Sequence, residues 1–542
     1  MKNFIEKHGL LIVCFLFIVG FLLKSFNLRD NIIFAFDQGR DAQRITDIAS
    51  LHHLKLVGPE TDIPGVFNGP LFYYLLAPIY ALSHFDPNFV ALFMVFINAA
   101  SVFLLYYFSQ VLFKNKTVSV LASFLWIISY EQANYARYIS NASLMGIFTL
   151  IFFLGLALYF LREKNVGLIL SVIGFTLAVQ SNFYLIYLIV FYPLCFVFFK
   201  RKANNLKNIL TGLGFLIVLF LPFAVAELKW NFLITHSLLR FLNYQKSSLT
   251  VVESLGKYIQ SFAGPTYNSL FSFNLFVGFL ITVTLIIYTY FILKDKKVLL
   301  FFYLCLFSTL PLFGFSTGVL NGEIVNGPIL PFYTLLYALG IGSLLSLHRY
   351  KFLGFILLIA LILSNANLFI AGHFTDSTMF NERELILKDE KNAIDYTYKS
   401  ANGKPFSICA ATGPLFINTL WGYLYHWYGL EKYGYLPVWS GQKQDLTQSL
   451  LPYDTTHVQN RYFIIESTGL VPQGSLMTMI YLEDMTSKLN ETKYFGNITV
   501  EKRTLQPLPR IFMDTQKLTL TDLAHLKIIL KKEARYTCYN SY

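Results

Sequence analysis

Leu10-Leu11-Ile12-Val13-Cys14-Phe15-Leu16-Phe17-Ile18-Val19-Gly20-Phe21-Leu22-Leu23-Lys24-Ser25-Phe26 is the stretch that decides the fold class. A helix needs about 20 apolar residues, at about 1.5 Å each, to cross a hydrocarbon core of about 30 Å. The run follows Met1-Lys2-Asn3-Phe4-Ile5-Glu6-Lys7 and lacks a small-residue cleavage site, so it reads as a first span rather than a removed signal peptide. Runs of the same kind recur outward along the chain. They are Phe89 to Phe113, Thr117 to Ser129, Ala142 to Leu161, Gly167 to Val179, Phe183 to Phe199 and Leu206 to Ala226. Phe273 to Leu293, Val298 to Phe315, Pro328 to Leu347 and Phe352 to Ala371 complete the series. The reading is an α-helical polytopic membrane protein with about eleven transmembrane helices, the shorter runs extending into polar flanks.

Composition agrees. The chain is 55% hydrophobic and only 14% charged, against about 25% charged in a soluble domain. A soluble globule of this length is therefore excluded. The net charge of +12 does not point to nucleic acid, because the basic residues sit in short clusters between apolar runs, with membrane lipids as their partners. Alternating sides from a cytoplasmic Lys2 and Lys7 puts every such cluster on one side: Lys114 and Lys116; Arg162 and Lys164; Lys200, Arg201, Lys202 and Lys207; Lys294, Lys296 and Lys297; Arg349 and Lys351. By the positive-inside rule that side is the cytoplasm. The other side receives Leu28 to Asn88, Tyr130 to Asn141, Glu227 to Ser272 and everything after Ala371. The expected localisation is the cell membrane, multi-pass, with a cytoplasmic N-terminus.

Two domains are expected. Residues 1–371 form a transmembrane module whose first outer loop is 28–88, and residues 372–542 form a soluble extracytoplasmic α/β domain. In the latter, Lys404 to Ala410 and Arg461 to Glu466 read as strands, and Glu382 to Lys399 and Pro414 to Tyr428 as helices. Cys14, Cys195 and Cys305 lie in apolar runs and read as small hydrophobes. The absence of any C-x-x-C pair argues against a zinc ribbon. Cys409 and Cys538 are free to form a disulfide in an oxidising compartment.

The first outer loop carries Phe36-Asp37-Gln38-Gly39-Arg40-Asp41-Ala42-Gln43-Arg44-Ile45-Thr46-Asp47-Ile48. Asp37, Asp41, Arg44 and Ile48 recur at helical spacing and share one face, with Asp37 as the N-cap. On spacing alone this is a solvated amphipathic helix with local ion pairs. Further on stands Gly65-Val66-Phe67-Asn68-Gly69-Pro70-Leu71-Phe72-Tyr73-Tyr74-Leu75. Gly69-Pro70 marks a turn, and Asn68 to Tyr80 reads as an interfacial helix rather than a span. Adjacent His52 and His53 point to different helix faces, which makes a poor metal pair. Gln180, Ser181 and Asn182 form a short polar turn at membrane depth, where such groups need partners or a cavity. Glu323 and Asn326 are similar. The aromatic run Trp421 to Tyr428 suits either sugar stacking or core packing.

The two loop segments, in that order after a first span, resemble the GT-C glycosyltransferases that use lipid-linked sugars: the protein O-mannosyltransferases and the bacterial aminoarabinose transferase of lipid A. That family reads acidic-acidic-x-Arg-Tyr-Ala in this loop, and later Lys-Pro-Pro-Leu-x-Tyr-Trp. Asp37-Gln38-Gly39-Arg40-Asp41-Ala42 and Asn68-Gly69-Pro70-Leu71-Phe72-Tyr73-Tyr74 look like the counterparts. Ala136-Arg137-Tyr138-Ile139-Ser140-Asn141 and Leu221-Pro222-Phe223-Ala224-Val225-Ala226-Glu227 are also similar. This chain departs from the pattern at Gln38, Asn68 and Asn141, where the family carries an acid, a lysine and often an acid.

The resemblance implies an inverting sugar transfer from a polyprenyl-phosphate sugar donor to a glycan, lipid or protein acceptor. One carboxylate suffices as the base. Asp37 is the family acid that this chain retains, and Asp41 is the second catalytic candidate. Arg137 and Arg240 are candidates to receive the departing phosphate, or are interfacial anchors. Arg40 and Asn141 are further substrate-binding candidates, and Glu227 either positions a substrate hydroxyl or pairs with a nearby base. The resemblance requires no cofactor and leaves a divalent metal open. The alternatives are a flippase or transporter of a lipid-linked glycan, and a polysaccharide polymerase or ligase. A transporter places ionisable groups inside its spans near the midplane, whereas here they gather in outer loops.

Overall fold

The computed structural model describes residues 2–200, 206–244, 250–265, 270–311, 322–371, 385–415, 417–441, 451–454, 458–466, 471 and 473–506. Side chains at 322–326, with Glu323 and Asn326, lie outside the described set, as do Phe315, Glu382 and Cys538. Every predicted apolar run contains a helix, and that of Val298 to Phe315 is helical to Leu306. Among the described residues, seven helices are long and apolar enough to cross a membrane: Phe4–Ser25, Pro87–Phe113, Asn141–Phe160, Lys207–Lys229, Leu275–Ile292, Gly327–Ser346 and His348–Ile370. The chain is a multi-pass α-helical membrane protein. Lys116–Ile128, Val166–Ser181, Phe183–Phe199 and Lys296–Leu306 are shorter. The expected lengthening into polar flanks is short, reaching Lys116, Gln180 and Ser181, and Lys296 and Lys297, because Asn115, Asn182 and Asp295 turn out of the helix and cap the next turn with their side chains.

The described chain forms two compact units. The first comprises Met1–Leu28, Asp47–Leu82 and Phe89–Thr375. Its centre is the antiparallel pair Met145–Phe160 and Val166–Ser181. Gly155, Gly167 and Gly174 bring the two backbones together: a Cβ added at Gly174 would overlap the backbone nitrogen of Phe152, and one at Gly155 that of Ser171. Small residues permit this close approach where lipid supplies no hydrophobic drive between helices. Phe153 fills the next layer, edge-on to Phe191, Phe301 and Phe332 at 5.3, 6.4 and 5.2 Å. Outward faces stay apolar. Leu10, Leu11, Phe15 and Leu22 on the first helix are each more than 60% exposed, a ridge that only lipid can cover.

Leu71–Leu82 is a helix of 12 residues that buries Phe72, Tyr73, Leu76, Ala77 and Tyr80. It covers about 18 Å and is too short to cross a bilayer.

The second unit comprises Arg29–Thr46, Ser83–Asn88 and Asp376–Tyr542. Its sheet runs β2-β1-β3-β5-β4, with β1 Ser407–Ala411, β2 Val438–Trp439, β3 Asn460–Ile465, β4 Ser487–Phe495 and β5 Ile498–Leu505. β2, β1 and β3 are parallel, and β5 and β4 continue antiparallel. The continuous apolar strands β1 and β3 are buried at nearly every position, as parallel strands covered on both faces require. The Leu387–Ala401 helix ends on Asn402 in the left-handed region at φ 52°. Cys409 is buried and disulfide-bonded. Of the aromatic run, Trp421 and Tyr425 are core side chains, while Trp427 and Tyr428 are half-buried.

Candidate functional site

Asp37, Arg40 and Asp41 sit on one helix, Phe36–Ala49, whose start belongs to the second unit. Asp37 is not the N-cap. The helix begins two residues earlier than such a cap implies, at Phe36, because Gln38 Oε1 reaches back to accept from the Ala35 backbone N–H at 3.1 Å. That is the return half of a capping box, and it gives the amide at position 38 a structural task in place of a second acid. Asp37 falls in the first turn, where the helix dipole favours a negative charge.

Arg40 joins the two acids. Its Nη1 lies 2.7 Å from Asp37 Oδ1, and its Nη2 and Nε lie 2.9 Å from Asp41 Oδ1. Its guanidinium also lies over the Phe36 ring at 5.4 Å. The Asp37 side chain is 59% exposed and that of Asp41 only 5%. Asp37 is thus a solvent-accessible carboxylate held in one rotamer, while Asp41 anchors the arginine from below.

The platform under this helix is built within the same unit. Residues 30–34 run antiparallel to 385–388: Phe34 N–H donates to Leu385 O, Leu387 N–H to Ile32 O and Lys388 N–H to Asp30 O at 3.3, 3.1 and 2.8 Å. Lys391 Nζ closes on Asp30 at 2.9 Å. Gly39 packs on the Thr419–Leu424 helix so closely that a Cβ there would stand 2.9 Å from Leu420 Cα.

In the first unit, two of the family-departure positions come together. Gly58 N–H donates to Asn68 O at 2.8 Å, and Asn68 N–H returns to Pro59 O at 2.9 Å. Asn68 Oδ1 accepts from Phe183 N–H at 2.9 Å, and Gly69 N–H donates to Gln180 O at 3.0 Å. Asn141 Nδ2 donates to Ser181 O, and Gln180 Nε2 to Leu219 O. Asn68, Asn141, Gln180, Ser181 and Asn182 are all buried. This uncharged amide knot satisfies the backbone of the polar turn at 180–182, as backbone at membrane depth demands. Asn141→Asp would put an oxygen where the amide donates to a carbonyl. We expect it to cost about 1–3 kcal/mol, read as a lowered unfolding temperature of the purified protein, although the family often carries an acid there.

Arg137 is buried, and its Nη1 and Nη2 donate to the carbonyls of Phe26 and Asn27 at 2.9 and 3.0 Å. Burial pushes its guanidinium down to about 10. It thereby ties the exit of the first span to the Tyr130–Arg137 helix. Lys24 Nζ, in the last turn of that span, is fully buried and donates to Asn98 Oδ1 at 2.7 Å; Asn98 Nδ2 donates on to Gln132 Oε1 at 3.1 Å. Sequence reasoning missed this chain. Its only signal is a lysine inside an otherwise apolar run, which reads equally as an end-of-span residue snorkelling to water. Glu227 accepts from Ile234 N–H at 2.9 Å and from the Thr235 hydroxyl at 2.8 Å, a cap on the Leu233–Tyr244 helix. Arg240 is exposed on that helix. Asp37, Arg40 and Asp41 therefore belong to one unit, and Arg137, Asn141, Glu227 and Arg240 to the other. His52 and His53 are both exposed. Among the described residues, no group of three or more His, Cys, Asp or Glu gathers as a metal site.

No protein-family model and no curated protein sequence matches the chain. A solved structure does: ArnT from Cupriavidus metallidurans bound to undecaprenyl phosphate superposes with a TM-score of 0.57, covering 90% of this chain and 97% of that one at 10% identity. At that identity the likeness shows the fold. It is an ArnT-like fold, and it agrees with the polytopic helical protein with a C-terminal α/β domain expected from the sequence.

Proposed function

We propose that this chain is an inverting glycosyltransferase that moves a sugar from a polyprenyl-phosphate donor to an acceptor at the outer face of the membrane. The observation that carries this reading is Asp37, an accessible carboxylate fixed by Arg40, in a chain with the fold of a protein solved with undecaprenyl phosphate. An acceptor hydroxyl attacks the anomeric carbon, Asp37 takes its proton, and the lipid phosphate leaves. Inversion needs no covalent intermediate, so no second carboxylate has to act as nucleophile. Arg40 keeps Asp37 aimed, and Asp41 keeps Arg40 in place.

The departing phosphate requires cationic donors where charge develops. Arg240, exposed on an amphipathic helix, has its guanidinium available for that role. Arg137 has both Nη groups engaged by carbonyls, so we assign it to positioning. Glu227 likewise serves as a cap in addition to any contact with substrate. Transfer of a labelled sugar from polyprenyl phosphate by the purified chain tests this function.

We further propose that the membrane module lies within residues 1–371, from which Arg29–Thr46 and Ser83–Asn88 depart to the second unit, and that the first outer loop and the residues after 371 lie outside the cytoplasm, opposite the basic clusters. Exposed positions in each, His53→Cys and Asn402→Cys, should react with an impermeant thiol reagent in intact cells. Protection of both before permeabilisation, with labelling after it, would reverse the orientation.

A further inference from the structure

Among the described residues, the second unit buries two carboxyls that have no counter-charge. Glu390, in the first turn of the Leu387–Ala401 helix, is fully buried, and neither of its oxygens has a hydrogen-bond partner. Glu466, at the end of β3, is 2% exposed. Its Oε2 accepts from Gly413 N–H at 2.7 Å and its Oε1 from Trp421 Nε1 at 2.9 Å. An isolated buried carboxylate is too costly to persist without a partner.

Of the cations on the surrounding elements, Lys388 is exposed and bears on Asp389, Lys399 pairs with Asp395, and those that follow are committed elsewhere. On the same helix, Lys391 holds Asp30. On β5, Lys502 donates to Ser400 O and Arg503 is bound by Asp484 and Glu501. On β3, Arg461 pairs with Glu483, and on β4 Lys493 pairs with Glu491. On the Tyr425–Gly429 turn, Tyr425 meets the Thr397 hydroxyl, Tyr428 donates to Asp395 and His426 is exposed. The charges that bear on Glu390 are the like charges of Glu466 and its neighbour Asp389. Among the described residues neither Glu390 nor Glu466 has an ion-pair partner.

Both carboxyls sit one step behind the platform described above. Glu390 follows Leu387, whose N–H holds Ile32 O. Glu466 holds Trp421, the neighbour of the Leu420 on which Gly39 packs.

We propose that Glu390 and Glu466 are positioning residues for the helix that carries Asp37 and Asp41: a proton retained by the pair lets both carboxyls stay buried, and its loss to solvent at higher pH loosens the platform. This rests on the reading of that helix as the bearer of the site. The hydrogen bonds say which oxygen set accepts charge first. Two N–H donors suit an ionised Glu466, whereas Glu390 has none and keeps its proton. Burial, with the like charge of Glu466, holds the Glu390 carboxyl well above the ordinary range. Burial pushes Glu466 up to about 7, against its two hydrogen bonds. A carboxyl raised on folding stabilises fully below its unfolded value of about 4.3. That contribution is lost as pH rises through the folded value, near 7 for Glu466.

The test is hydrogen exchange by mass spectrometry on the purified full chain, expressed as protection factors so that intrinsic base catalysis is removed. Protection over 30–46 and 387–401 should fall by about tenfold or more per pH unit between about pH 5 and 7, and less steeply above 7 where Glu466 is already ionised, while 145–181 stays level. The Glu390→Met/Glu466→Gln double variant should lack the step. The loss of transfer activity with rising pH should follow the same fall in the natural chain and be absent from the variant. A flat natural profile, or a step that survives in the double variant, overturns the proposal. Should the variant fail to fold, the infrared band of a protonated carboxyl in the natural chain at pH 6.5 decides, and its absence overturns the proposal too. Exchange and infrared do not depend on sugar transfer. A chain that titrates this way but transfers nothing refutes the site reading and leaves the proton pair standing.

Discussion

Asp37→Asn should reduce sugar transfer by about 10²- to 10⁴-fold, the usual cost of removing a general base, while binding of the lipid-linked donor survives. Asparagine keeps the size of the side chain but cannot accept a proton at neutral pH. The first-turn position and the 59% exposure of Asp37 mean that the change disturbs little packing. Asp41→Asn should cost less in the chemical step. Asp41 is buried and grips Arg40 through Nε and Nη2, so its loss frees the arginine and degrades the aim of Asp37. Initial rates with saturating donor, beside equilibrium binding of the donor, separate the two roles. Near-normal turnover in Asp37→Asn with a dead Asp41→Asn would move the base to Asp41. Activity in both would make the loop motif structural.

Gly174→Ala should destabilise the membrane unit by about 1–3 kcal/mol or more, although alanine is the better helix former by about 1 kcal/mol. The added carbon has no room, because it meets the backbone of Phe152 rather than the tip of a side chain. The Met145–Phe160 and Val166–Ser181 helices must separate to admit it. Gly214→Ala is the matched control, since a Cβ there meets nothing within 4 Å, and it should be neutral or stabilising. Unfolding temperatures of the two purified variants give the comparison. A Gly174→Ala protein as stable as Gly214→Ala would contradict the close packing of this pair.

The helices of the membrane unit were legible because an apolar run long enough to fill a bilayer has few other uses, and the tail's β1 and β3 because short apolar strands stand out in a polar context. The polar interior was not. Nothing in the spacing of Asn68, Asn141 and Gln180 says that they meet, and only the chain's return path makes them neighbours. The start of the site helix was misplaced by two residues for a related reason. Asp37 looks like a cap by residue type, but the capping contact comes from Gln38, whose side chain is long enough to reach back to Ala35. Lys24 hides in the run that defines the first span. Nothing in the sequence marks Glu390 or Glu466, and burial alone sets them apart.

The central claim is most directly tested by incubating the purified chain with a polyprenyl-phosphate sugar carrying a labelled anomeric carbon and reading the product's anomeric configuration by NMR. Our account predicts an inverted glycosidic bond, with one polyprenyl phosphate released per bond formed. Retained configuration, release of a polyprenyl diphosphate from a diphosphate-linked donor only, or a label that crosses vesicle membranes still attached to its lipid would contradict it.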